Sequence, residues 1–107
     1  MNKKRVSKMK YENTNDGFIK KFINNDTSYI ENRNSLHCIG DKLYSYALLI
    51  ADRKKKKIYR SVYSMTTSKH IGTVENLSNY KTISVNVFDS GIGYTLRNKI
   101  TNRVIKE

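Results

Sequence analysis

Leu43-Tyr44-Ser45-Tyr46-Ala47-Leu48-Leu49-Ile50-Ala51, then Asp52-Arg53-Lys54-Lys55-Lys56-Lys57, then Ile58-Tyr59-Arg60-Ser61-Val62-Tyr63-Ser64: this passage decides the fold. The first run couples aromatic with small residues and ends continuously apolar, which fits a strand covered on both faces near its end. The last run alternates, with Ile58, Arg60, Val62 and Ser64 on one face and Tyr59, Ser61 and Tyr63 on the other. Two such runs predict a β-hairpin. The charged connector predicts a tip that carries cations away from the body of the fold, toward a polyanion.

On the N-terminal side, Leu36–Ile39 reads as a short strand closed by a turn at Gly40-Asp41. Residues 25–35 are rich in Asn, Asp and Ser and read as a linker. Phe18, Ile19, Phe22 and Ile23 form one apolar stripe, so a short helix is expected over 16–24 with Asp16 as its cap. Residues 1–15 read as a basic flexible arm, because Lys3, Lys4, Arg5, Lys8 and Lys10 leave little to bury.

On the C-terminal side, Thr67 or Ser68 is placed to cap a helix over about 68–79, with Ile71, Val74 and Leu77 on its apolar face. Gly72 lies inside it, at a cost of up to ~1 kcal/mol relative to Ala. Thr82–Phe88 alternates, with Ile83, Val85 and Val87 expected to face the core. Asp89-Ser90-Gly91 is a turn, Ile92–Arg97 a strand, Asn98-Lys99 a tight turn and Ile100–Ile105 an edge strand. The expectation is an α+β fold: a small antiparallel sheet of order β-β-β-α-β-β-β, forming a single domain over 16–107 behind the arm.

The chain has 107 residues, enough for one domain, and its apolar supply is thin: 37% hydrophobic, no Trp, and Tyr as the main aromatic. Lys and Arg number 21 against 9 Asp and Glu, a net charge of +12. That balance favours nucleic acid, a nucleoprotein or an acidic protein face as partner. The competing reading of the lysines is codon usage, since abundant Asn, Lys, Ile and Tyr resembles translation of an AT-rich genome. Cys38 is the single cysteine, which excludes an internal disulfide and fits a reducing cytosol. It reads as a small buried hydrophobe. No apolar stretch approaches a signal h-region or a membrane span.

Leu43-Tyr44-Ser45-Tyr46, Ile58-Tyr59 and Tyr63-Ser64-Met65-Thr66-Thr67-Ser68-Lys69-His70 together resemble a family of short, uncharacterised bacteriophage proteins. In that family a Leu-Tyr-Ser-Tyr strand is followed by a second strand and by Tyr-Ser-x-Thr-Thr-Ser-Lys-His at a helix start. The likeness covers about residues 35–80, and the tip Lys54–Lys57 departs from the mixed polar tips of the family. The resemblance implies a phage origin and the cytoplasm of a host bacterium. The roles it brings into view are nucleic-acid handling, host takeover, or inhibition of a host defence such as restriction or CRISPR nucleases.

Three constellations carry chemistry. Thr67, Ser68 and Lys69 stand at an expected helix N-terminus and form a candidate anion site; the alternative is that they only cap the helix. Arg53, Lys54, Lys55, Lys56 and Lys57, with Arg60, form a basic ribbon for phosphates, short of side chains that read base edges. Tyr44, Tyr46, Tyr59 and Tyr63 could stack on bases or on each other. Neither His37 nor His70 has a nucleophile and an orienting carboxylate at a spacing that makes a general base. No Cys, His or carboxylate spacing points to a metal. The expected function is therefore a non-enzymatic phage accessory protein, without cofactor or metal. It binds nucleic acid through the arm, Arg53–Lys57, Arg60, Lys69 and Lys99. The alternative is an inhibitor of a host defence system that binds a host nuclease or nucleoprotein.

Overall fold

The computed structural model describes residues 14–26 and 35–106. Lys3, Lys4, Arg5, Lys8 and Lys10 lie outside those residues. Helix α1 spans Asn15–Ile23, capped by Thr14, whose Oγ1 accepts the Gly17 N–H at 2.9 Å. The cap is Thr14 and not Asp16, because a cap hydroxyl must reach the N–H two or three residues on. Asp16 instead sits in the first turn, where the helix dipole favours a carboxylate. Phe18, Ile19 and Phe22 are buried, as their stripe predicts.

The strands are β1 (Leu36–Ile39), β2 (Lys42–Ser45), β3 (Leu48–Asp52), β4 (Lys57–Arg60), β5 (Lys81–Asp89) and β6 (Tyr94–Asn98), with helix α2 (Met65–Leu77) between β4 and β5. They form one six-stranded sheet in sequence order. The fold is α+β, as expected. Every pairing is antiparallel except β4 with β5, because α2 carries the chain back across the sheet before β5 begins.

Several boundaries differ from the sequence reading: the strand expected over Ile58–Ser64 leaves the sheet after Arg60, and the one expected over Ile92–Arg97 begins at Tyr94. Leu43–Ala51 is not one strand: it reverses at Tyr46-Ala47, so Ser45 pairs with Leu48 and a further hairpin appears. Tyr46 sits at φ 57 and its N–H donates to Ser35 O at 2.6 Å, a tertiary bond that stabilises a turn built without Gly or Asn. Helix α2 begins three residues early, because Ser64 caps it and accepts the Thr67 N–H. The expected strand over Ile100–Ile105 reduces to a bridge between Arg97 and Val104.

The core follows from the pairing. Arg60 and Thr82 both reach Glu75 on α2, and Ser45 reaches His70 on α2, which fixes the sheet face that the helices cover. Leu36, Leu43, Leu48, Ala51 and Ile58 share that face by register, and Phe18, Ile19, Phe22, Ile71 and Val74 pack against the same core. On the reverse face, Leu49, Tyr59, Val85 and Leu96 are buried, with Ile83, Val87 and Ile105 partly buried beside them. β3 is buried along its whole length, as its unbroken apolar run requires. A register shift between Leu43 and Tyr44 leaves Ile50 as an extra, fully buried residue.

Candidate nucleic-acid interface

The β3–β4 connection is a tight turn, not a loose finger. Asp52 Oδ1 accepts the Lys55 N–H at 3.0 Å, and Lys56 takes a left-handed conformation at φ 55. The Lys81 N–H then donates to Lys56 O at 3.0 Å, which starts the parallel pairing. As a result Lys57 and Lys81 are register partners on adjacent strands. Lys55 Nζ donates to Lys106 O at 2.8 Å, so the C-terminal segment also ends at this turn. Lys54, Lys55, Lys56, Lys81 and Lys106 are exposed.

One transverse row of the sheet therefore runs Ile39, Lys42, Asp52, Lys57, Lys81 across β1 to β5. Asp52 is buried in that row and its Oδ1 is engaged by backbone. Side-by-side like charges cost on the order of 0.2–1 kcal/mol, which an external anion would relieve. Lys81 and Lys106 were missed in the sequence because no local pattern foretells a parallel crossover that sets Lys81 beside Lys57. Lys42 shows only as a turn-flanking cation.

Arg53 does not belong to this surface. Its Nε and Nη2 donate to Asp41 Oδ1 at 3.0 and 2.8 Å, its Nη1 to Phe22 O at 2.6 Å, and its Nη2 to Gly40 O at 3.1 Å. The guanidinium also lies 4.7 Å from the centre of the Phe22 ring. This fork ties the β1–β2 turn to the C-terminal end of α1, and it leaves the side chain 11% exposed. Arg60 is likewise engaged, with Nε and Nη2 on the two Glu75 oxygens at 3.1 and 2.5 Å. That pair holds the Glu75 carboxyl below its usual range and the guanidinium above its own.

Lys69 and Lys99 lie apart from the turn. Both are exposed. Lys99 donates its N–H to Ser84 O, and Lys69 lines a hollow with Val62, Tyr63 and Met65 at the start of α2. Among the described residues, Lys54, Lys55, Lys56, Lys57, Lys81 and Lys106 thus gather at one end of the parallel pair and Lys69 and Lys99 lie toward its other end, while Lys20 and Lys21 are on α1, Lys42 on β2, Arg97 on β6 and Arg103 in the segment after it. They do not form one strip that includes Arg53 and Arg60.

The candidate anion site does not assemble. Thr67 is fully buried; its N–H goes to Ser64 Oγ, and its hydroxyl meets Ser45 Oγ at 2.9 Å. The Ser68 N–H donates to Ser64 O. These groups are consumed inside the helix start; Ser64 is the cap, so Thr67 and Ser68 neither form the anion site nor cap the helix.

His70 Nδ1 lies 2.9 Å from Ser45 Oγ, and Asn15 Nδ2 lies 3.4 Å from His70 Nε2. With the Asn15 amide donating to Nε2, the ring proton sits on Nδ1 and is donated to Ser45. This is nucleophile–base spacing, but Ser45 is 0% and His70 3% exposed, so no substrate reaches it. Burial also pushes the His70 pKa down and keeps the ring neutral. The group is a polar clasp among β2, α1 and α2.

The tyrosines do not form one stacking platform. Tyr59 is buried, Tyr44 stacks on His37 with centroids 5.1 Å apart, and Tyr63 meets Tyr94 edge-on with a 2.7 Å hydroxyl contact. Cys38 is half-buried against the core, and burial raises its thiol pKa. Among the described residues, no helix is long and apolar enough to cross a membrane.

Residues 5–90 match the family of unknown function DUF8033. The chain belongs to that family. No curated protein and no solved structure matches it.

Proposed function

We propose that this DUF8033 protein is a small non-enzymatic binding protein whose lysine end takes the phosphates of a nucleic acid. The observation that carries the reading is the pairing of Lys57 with Lys81, joined at the same turn by Lys54, Lys55, Lys56 and Lys106. An ammonium cluster on a rigid sheet end meets a phosphate backbone without the ordering cost of a free loop. Ammonium groups contact phosphates as point charges and read no base edges, so binding is insensitive to sequence. The setting in the proposal is the cytoplasm of a phage-infected bacterium, as the family resemblance implies.

The test is fluorescence anisotropy with mixed-sequence duplex and single-stranded DNA at physiological salt. Replacing Lys54, Lys55, Lys56 and Lys57 together by Ser weakens binding to all sequences alike while the circular dichroism spectrum is kept. Unchanged affinity in that variant rejects the lysine end as the interface. Arg53 stays in place in the variant because it holds the fold.

A further inference from the structure

β5 is longer than its neighbour. β4 pairs with it only as far as Arg60 opposite Ser84, whereas β6 covers Val85–Asp89 from the other side. The direction of the free backbone groups follows from three bonds. The Ser84 carbonyl accepts from Lys99 and the Ser90 N–H donates to Gly93, both on the β6 side, while the Lys81 N–H donates to Lys56 on the β4 side. Because successive residues alternate, Val85, Val87 and Asp89 aim their peptide groups toward β4; the Val85 N–H is used by the last parallel pair, Arg60 with Ser84, and the Val85 carbonyl, Val87 and Asp89 lie past the point where β4 has left the sheet. Among the described residues no strand lies along that edge.

A cleft of about 550 Å³ occupies this place, bordered by Ser61 and Val62 where β4 departs, by Val85–Phe88, and by Lys99. Ser61 is 5% exposed and its Oγ has no hydrogen-bond partner. An orphaned buried hydroxyl costs about 1–3 kcal/mol. The stretch Val85-Asn86-Val87-Phe88 of the edge carries no charge and no Pro, the one charge being Asp89 at its end, and proteins normally blunt such edges. Val62 is 96% and Phe88 48% exposed at the rim.

We propose that this edge takes an extended acidic peptide from a partner protein as an added β-strand. Main-chain bonds to the Val85 carbonyl, Val87 and Asp89 hold the guest, as in other strand additions. Its alternate side chains divide between the apolar rim at Val62 and Phe88 and the Lys99 ammonium. The acidic character follows from Lys99 and from the net charge of +12. The open edge spans Val85–Asp89, roughly 17 Å at about 3.3 Å per residue. The inference is independent of the lysine end.

The test uses the full chain and a fluorescein-labelled octapeptide of alternating Glu and Val. The expected result is saturable binding with slowed amide exchange at Val87 and Asp89. Val87→Pro removes an N–H that makes no bond to β6, and it abolishes peptide binding while the circular dichroism spectrum is kept. Lys99→Glu weakens peptide binding by about tenfold or more. The Lys54–Lys57 quadruple variant keeps peptide binding, which separates the two sites. Absence of binding, or equal binding by Val87→Pro, overturns the proposal. So does a dimer that Val87→Pro dissociates, since a second copy then owns the edge. Displacement of the peptide by a short oligothymidylate assigns the cleft to nucleic acid and overturns it too.

Discussion

His70 owes its state to what surrounds it. Ser45 from β2 and Asn15 from α1 meet its two ring nitrogens, Thr67 braces the Ser45 hydroxyl, and no carboxylate is among these partners. The folded protein therefore holds His70 neutral at pH values where the unfolded chain has begun to protonate it. The unfolded state binds more protons in that window, so stability falls as pH drops below about 6.5 and keeps falling until the depressed folded pKa is passed. His70→Gln should flatten this dependence, which thermal melts between neutral pH and mild acid would reveal; parallel slopes would refute the assignment. Arg53 is the second residue whose role reverses between sequence and structure. In sequence it opens a run of lysines; in the fold it spans Asp41, Gly40 and Phe22. Lysine cannot reproduce that fork. Arg53→Lys should cost about 1–3 kcal/mol in urea unfolding, whereas Lys54→Ser should stay within roughly 0.5 kcal/mol. Nothing in the order Asp52-Arg53-Lys54 distinguishes these neighbours, because the difference lies in which residues the next strand brings within reach.

Elements were legible where one periodicity held. Thr82–Phe88 alternates and is a strand, and the stripe Phe18-Ile19-Phe22 is a buried helix face. They were misread where a tertiary bond replaces a sequence signal. The reversal at Tyr46-Ala47 lacks Gly, Asn, Asp and Pro, and the continuous apolar run that follows it hides it. The start of α2 was misplaced because Ser64, Thr66, Thr67 and Ser68 all qualify as caps by type. The bonds decide among them: the Thr67 N–H goes to Ser64 Oγ and the Ser68 N–H to Ser64 O, so Ser64 stands at the boundary and the other three lie inside the helix. Ser64→Ala should destabilise the protein by ~1 kcal/mol by chemical denaturation, and Ser68→Ala should change little. Equal effects would show that the cap is shared. The open edge of β5 belongs to this scale as well. Its length relative to β4 follows from where the chain leaves the sheet at Ser61, which no local pattern marks.

At the scale of the molecule, charge is the dominant quantity. Lys54, Lys55, Lys56, Lys57, Lys81 and Lys106 lie around one turn. If each neutralises one phosphate, the slope of log affinity against log salt concentration on duplex DNA should be roughly −5. A slope near zero would point to an uncharged mode of contact. The sequence by itself determined the α+β class, the two helices, most strands, and the excess of cations, because periodicity and composition are properties of neighbours along the chain. Only the tertiary structure decided which cations are free to act. Arg53 and Arg60 are held by carboxylates brought from other elements, while Lys81 and Lys106 join the tip through a parallel crossover and a returning C-terminal segment. The physical reason is that ion pairing and strand adjacency depend on distance in space, and those distances are set only when the sheet closes around its core.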